Sequence, residues 1–320
     1  MRAYIIRRIL LMILTLLLVT MIIFGIIRLI PGSVIDLMVA EMGKESGMGA
    51  ELTAEVVKQK LGLDVPIHIQ YWRWLGNVFQ GDLGTSLWRG TPVTREIIAR
   101  LPVTFELGLI ALITSLVIAL PIGAYSAIRQ DSGADYMGRT FAILALSIPP
   151  FWIGTMIMVY PSIWLGWSPT IDLIPFTENP AGNLVQFLIP GVIIGMTNTG
   201  TTMRMTRTMM LEVLRQDYIR TAWSKGLRER TVVMRHALKN ALIPVVSMIG
   251  LLMPYLITGA VIIEVIFALP GIGRLLLEAV NKRDYPIISG INLLLASFVL
   301  VINLLVDLTY AYLDPRVQYR

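Results

Sequence analysis

The chain has 320 residues, 55% of them hydrophobic and only 15% charged, with a mean hydropathy of +0.70. A soluble domain of this size needs far more charge on its surface, so the composition excludes one and points to an integral membrane protein. With no cysteine at all, and with two histidines, His68 and His236, that stand far apart, disulfides, thiol chemistry and Cys- or His-based metal sites are excluded too.

Residues 1–8 carry Arg2, Arg7 and Arg8, and an apolar run from Ile9 to Ile27 follows. At about 1.5 Å per residue such a run crosses a bilayer core of about 30 Å. It is too long for a signal-peptide core and no small-residue cleavage site follows, so a retained first span with a cytoplasmic N-terminus is expected. From residue 31 to 102 the chain is mixed, with seven basic and eight acidic residues, and belongs outside the membrane on the far side. Within it Glu51–Leu61 is expected to be helical and to end at Gly62. Tyr71, Trp72, Trp74 and Phe79 either pack on this region or sit at the membrane interface. Gly81-Asp82-Leu83-Gly84 marks a turn.

Five further spans are predicted at about Val103–Ala127, Phe141–Leu165, Val185–Met203, Ala241–Ile263 and Ile287–Tyr312. The chain thus divides into residues 1–30 (tip and first span), 31–102 (extracytoplasmic), 103–312 (a five-helix core with a loop at 204–240) and 313–320 (a tail). Both termini fall on the cytoplasmic side. Pro121, Pro149-Pro150, Pro190 and Pro254 interrupt spans, which predicts kinked helices around a cavity. Gly191 and Gly195 make a small-xxx-small helix contact, and Asn198 and Thr202 share another face. Those two polar residues either line a pathway or hydrogen-bond between helices. Asn292, Asn303 and Asp307 lie within about 60° of one another on a helical projection, and Asp307, like Glu106, can snorkel to water.

The loop from Arg204 to Lys239 holds nine basic and three acidic residues, a net +6 that equals the net charge of the whole chain. The pI near 9.6 therefore reflects one loop against a membrane, not a nucleic-acid surface. Lys and Arg are retained on the cytoplasmic side during insertion, which places this loop there. Met205, Met209, Val213 and Met210, Leu214 repeat at helical spacing. Asp217 is expected to cap a second, short helix, Tyr218–Lys225, closed by Gly226. A third helical run, Arg228–Ala241, returns to the membrane. The loop could serve topology alone, but a capped two-turn helix displayed between longer ones suits docking into a groove on a soluble partner.

Asp217-Tyr218-Ile219-Arg220-Thr221-Ala222, Lys225-Gly226-Leu227 and Arg235-His236-Ala237-Leu238-Lys239-Asn240-Ala241 resemble the cytoplasmic signature of ABC importer membrane subunits, in the form found in the peptide and nickel permeases. Arg220-Thr221-Ala222 stands where that signature usually has Glu-Ala-Ala. The extracytoplasmic segment from Leu61 to Val93 is similar to the same permeases. So are the stretch Glu264–Arg274 with Pro270-Gly271 and Gly273, the later Arg283-Asp284-Tyr285-Pro286, and the terminal Leu313-Asp314-Pro315-Arg316. Pro31-Gly32-Ser33 departs from the pattern, which more often has an acid after the Gly. The likeness covers essentially the whole chain and is closest to the first membrane subunit of oligopeptide/dipeptide transporters. It implies an all-α, six-helix permease of the type I ABC importer fold, with a small extracytoplasmic region, in a prokaryotic cell membrane.

The chain has no GxxxxGK[ST] phosphate loop, so it is not expected to hydrolyse ATP or to bind a cofactor or metal itself. The resemblance implies ATP and Mg on two separate cytoplasmic ATPase subunits, a second homologous permease subunit, an extracytoplasmic solute-binding protein, and short peptides as cargo. ATPase contact then falls to Asp217, Tyr218, Ile219, Arg220, Thr221, Ala222, Lys225, Gly226 and Leu227, and the pathway to Asn198, Thr202, Asn292 and Asn303. An ion-driven secondary transporter would need inverted repeats and mid-membrane acids. An intramembrane protease would need a Ser/His or metal constellation inside the spans. Neither is present in the sequence.

Overall fold

A computed structural model describes residues 2–29, 58, 62–166, 170 and 172–313. Apart from Lys58, the expected helix at Glu51–Leu61 lies outside the described residues, as do Pro31-Gly32-Ser33 and Asp314-Pro315-Arg316. Helices α1 (Arg2–Leu29), α2 (Ile67–Phe79), α3 (Val93–Ile128), α4 (Gly133–Ser147), α5 (Pro150–Leu165) and α6 (Pro180–Leu214) come first. After them come α7 (Asp217–Ser224), α8 (Glu229–Thr231), a π-helical turn (Val232–Ala237), α9 (Leu238–Ile266), α10 (Ile272–Lys282) and α11 (Tyr285–Leu313). Among the described residues there is no strand, only an isolated bridge between Thr85 and Pro92.

Among the described residues, five helices are long and apolar enough to cross a membrane, and the pair α4–α5 makes a sixth if it counts as one broken span. That pair corrects the expectation of a single kinked helix at Phe141–Leu165: the chain turns by 83° between α4 and α5. The cause lies in Ile148-Pro149-Pro150. A residue before proline is pushed out of the helical region, and both Ile148 (φ −90°, ψ 120°) and Pro149 (φ −63°, ψ 132°) are extended, leaving Pro150 at the first position of α5. Pro190 and Pro254, each in isolation, remain inside continuous helices.

The chain divides into two compact units, residues 1–102 with 274–300, and residues 103–273 with 301–320. In the first, Phe24 of α1 packs edge-on against Tyr71 of α2, with ring centroids 5.3 Å apart and planes at 74°. The Tyr71 and Thr20 hydroxyls are 3.1 Å apart. Two of the four aromatics of α2 thus differ from the other two: Tyr71 is buried and Trp74 packs beside it, whereas Trp72 and Phe79 are exposed. Asp284 accepts from the Ser86 hydroxyl at 2.5 Å and the Leu87 N–H at 3.2 Å, fixing the turn that follows Gly81–Gly84.

The second unit is built on α6. Val103, Leu107 and Ala111 of α3, Phe187, Ile193 and Ile194 of α6, and Ala260 and Ile263 of α9 form its main core. Gly195 works as the small-residue contact expected: a Cβ there would lie 2.6 Å from the Ala111 carbonyl oxygen, so the two backbones touch. Gly200 does the same against α4, where an added Cβ would meet the Ala142 carbonyl oxygen at 2.6 Å. Without a hydrophobic force between helices in lipid, such close backbone approach is how spans associate.

Candidate functional site

The short helix between α6 and α9 is formed and runs Asp217–Ser224. Its start corrects one expectation. Gln216 is extended (φ −73°, ψ 150°) and occupies the capping position with no side-chain cap, so Asp217 becomes the first helical residue. There its carboxylate favours the positive end of the helix and pairs loosely with Arg220 at 3.5 Å, both being largely exposed. Its end is as expected. Gly226 adopts φ +72°, its N–H donates to Trp223 O at 2.9 Å, and the Leu227 N–H donates to Ala222 O at 3.4 Å. This pair of bonds is a Schellman closure. A Cβ at Gly226 would meet nothing within 4 Å, so a side chain there strains the backbone, by about 1–2 kcal/mol, without a clash.

The helix has two faces, set by the three-residue step of its apolar positions. Ile219 (0% exposed) and Ala222 (6%) are buried, packed with Ala124 and Ala127 at the end of α3, Met210 of α6, Val232, Val233 and Ala237 of the π turn, and Ala241 of α9. Tyr218 is tied sideways, its hydroxyl accepting from Asn240 Nδ2 at 2.9 Å. Asp217, Arg220, Thr221, Ser224, Lys225 and Gly226 face outward. Thr221 and Ser224 donate only back into their own helix, to Asp217 O and Arg220 O. Of the predicted contact residues, then, Ile219 and Ala222 form the seat, while the rest are exposed or at its rim. Trp223, 45% exposed between Arg220 and Gly226, was not among the predicted residues. An exposed Trp on a helix of hydrophobic period is the signal that marks it.

Two features beside the seat were missed by sequence reasoning. The first is the π turn Val232–Ala237, an extra residue in the ladder that is frequent at functional sites. The second is Asp135, fully buried in the first turn of α4, which receives Arg207 of α6 in a two-pronged contact. Arg207 Nε donates to Oδ1 and Nη2 to Oδ2, both at 2.7 Å, and the Asp131 N–H donates to Oδ2 at 3.0 Å. Ser132 caps α4 by accepting from the Asp135 N–H. The Ser-x-x-Asp spacing was the available clue.

The polar residues assigned to a pathway fall on two helices, α6 and α11. Asn198 and Thr202 are buried in α6. Asn198 Nδ2 has no partner among the described residues, and Thr202 O accepts from the Thr206 hydroxyl. Asn292 donates to Ile288 O within α11 at 2.8 Å and belongs to the first unit, whereas Asn303 is half-buried in the second. Glu106, rather than snorkelling freely, accepts from Asn183 Nδ2 at 3.3 Å. Asp307 keeps one carboxylate oxygen out of solvent. Among the described residues no group of acids or histidines could hold a metal ion.

Comparison with known proteins gives one consistent answer. Residues 119–319 match the family described as the binding-protein-dependent transport system inner membrane component, and residues 1–108 match the N-terminal region of such membrane components. The chain is 41% identical to the oligopeptide transport system permease protein AppB of Bacillus subtilis (strain 168) over 323 residues, covering 100% of both. It is 39% identical to the glutathione transport system permease protein GsiC of Pectobacterium atrosepticum, covering 99% of each. Its fold is similar to that of a chain of the inward-facing methionine ABC transporter MetNI, with a TM-score of 0.54 at 13% identity, covering 69% of this chain and 97% of that one.

Proposed function

The chain belongs to the binding-protein-dependent transport system inner membrane components, and from that membership we propose that it forms half of a translocation pathway for short peptides, driven through α7 by ATPases on other chains. A multi-pass inner-membrane permease subunit of an ABC-type importer, it transports and does not catalyse. ATPase subunits and a solute-binding protein are its partners in general terms. The finer reading is ours: two cytoplasmic ATPases carrying ATP and Mg, no cofactor on this chain, a second homologous permease as the other half, and residues 31–102 facing outward. Relatives named for oligopeptides and glutathione support peptide cargo. Charge supports cytoplasmic termini, since residues 166–184 hold no Lys or Arg while the loop at 204–239 holds nine.

One observation carries the coupling assignment: a helix of eight residues with a buried seat, Ile219 and Ala222, and an outward face, Asp217, Arg220, Thr221 and Ser224, whose side chains bond only within their own helix among the described residues. Such a face is a plug for a groove on a soluble subunit. Because the seat joins α3, α6 and α9, a push on α7 reaches three spans as a rigid movement. Arg220→Glu should leave insertion intact and cut ATP-driven uptake in reconstituted vesicles about thirtyfold, the scale of losing an interface hot-spot arginine. A cysteine at Ser224 should crosslink to the ATPase subunit. Uptake at the normal rate by Arg220→Glu, with no crosslink from Ser224→Cys, refutes the docking assignment. Uptake by this chain alone, on a proton gradient, would favour an ion-driven transporter.

A further inference from the structure

In the first unit a cavity of about 220 Å³ lies where the end of α1 meets α2 and the start of α11. Its described walls include two cations, Arg28 and Arg73, the amides of Gln70 and Asn77, and the rings of Trp74 and Tyr285, and no Asp or Glu. Among the described residues, Arg28 is held in place by neutral groups. Its Nε donates to Gln70 Oε1 at 3.0 Å and Nη1 to the Phe24 carbonyl at 3.2 Å. The guanidinium carbon sits 3.4 Å from the Phe24 ring centroid and 5.4 Å from that of Tyr285. Gln70 is itself fixed, its Nε2 donating to Val65 O at 2.7 Å, so the amide oxygen stays aimed at Arg28. The indole N–H of Trp74 is buried with no partner among the described residues.

A half-buried cation with no counter-charge among the described residues, next to a buried donor with no acceptor among them, costs free energy that a bound anion would recover. We propose that this cavity binds a single oxyanion, a phosphate or a carboxylate group, with Arg28 and Arg73 supplying charge and the Trp74 indole N–H a further hydrogen bond. Two terminal N–H groups of Arg28 lie on nitrogen Nη2, which the frame does not use, and planar guanidinium suits such a ligand. The volume is below the roughly 300–1,000 Å³ of a site for a whole small molecule, so the cavity takes a headgroup or one end of a ligand. Arg28 closes the apolar run Ile6–Arg28, and a second span opens at Tyr285, so the cavity lies at the level where hydrocarbon ends. A phospholipid phosphate reaches that depth from the bilayer. The terminal carboxylate of a peptide reaches it from solution, a source that rests on the peptide reading above.

The test uses the membrane complex without its solute-binding protein, as wild type and with Arg73→Gln or Arg28→Gln. Native mass spectrometry reads retention of phosphatidylglycerol against phosphate-free diacylglycerol. Equilibrium binding reads dialanine against dialanine amide. Arg73 is exposed on α2, so Arg73→Gln should melt as wild type does, whereas Arg28→Gln also loses packing on Phe24. Selective retention of phosphatidylglycerol identifies a lipid phosphate, and selective binding of dialanine identifies a peptide carboxylate. In either arm Arg73→Gln should weaken the ligand about tenfold, the loss of one charge-assisted contact. Should a normally melting Arg73→Gln complex match wild type in both arms, the oxyanion site is refuted.

Discussion

Asp135→Ala should lower the stability of the second unit by about 3 kcal/mol, a larger loss than any exposed charge substitution in the chain. Asp135 has no exposed side-chain surface, and Arg207 keeps only 16% of its own. Removing the carboxylate therefore strands a guanidinium with little water to take over, and it also frees the Asp131 N–H that now donates to it. The figure sits at the lower end of the range for breaking a buried pair because Arg207 is not sealed off completely. Asp135→Asn preserves the shape and an acceptor for Asp131 while removing the charge, so it should fall between wild type and Ala. The pair joins α4 to the last two turns of α6, the helix that leads into α7, so transport should fall with stability. Melting in detergent, followed for Asp135→Ala, Arg207→Ala and the double variant, checks this. The double variant should lose much less than the two single losses added together. An Asp135→Ala protein that melts at the wild-type temperature would remove the pair from the account.

Much of this architecture was legible because a bilayer imposes a length. Ile9–Ile27 and its five successors stand out since only long apolar helices satisfy their backbone in lipid. The structure extends them, as at α3, which begins at Val93, ten residues before the predicted Val103. Helical amphipathicity continues past the apolar stretch, where hydropathy no longer reports it. Pro149-Pro150 was visible as a breaker, but whether a proline kinks a helix or ends it depends on Ile148, whose extended conformation no composition reveals. The seat of α7 was readable in outline, for Ile219 and Ala222 are three apart. Asp217 as a cap was not, because capping depends on the backbone of Gln216. Contacts distant in sequence were hidden altogether. Asp135 and Arg207 are 72 positions apart, and nothing local to Arg207 distinguishes it from the other cations of its loop.

The stretch Glu264–Arg274 shows what that hidden layer does, and it gives the second large effect. Glu264, at the end of α9, is fully buried. Its Oε1 accepts the Thr104 hydroxyl at 2.6 Å, and that hydroxyl in turn accepts the Ile272 N–H at 2.8 Å. The chain then folds back so that Gly271 and Gly273 lie over the carboxylate. A Cβ at Gly271 would collide with the Glu264 carboxyl, and one at Gly273 would come within 2.9 Å of Oε2 and 2.7 Å of the Val261 Cα. Neither glycine needs a left-handed backbone; Gly271 supplies room for a buried acid, and Gly273 room for that acid and for the α9 backbone at Val261. Gly271→Ala should thus cost about 1–3 kcal/mol by overpacking and reduce transport, through displacement of the turn between α9 and α10. Glu264→Ala should be destabilising by itself, since it leaves the Thr104 hydroxyl without that acceptor and opens a void. In the Glu264→Ala background, however, the added methyl has space, so Gly271→Ala should then cost close to nothing. Melting midpoints for the four members of this cycle measure the coupling directly. Equal costs for Gly271→Ala with and without Glu264 would mean that the glycine is required for something other than the carboxylate beneath it.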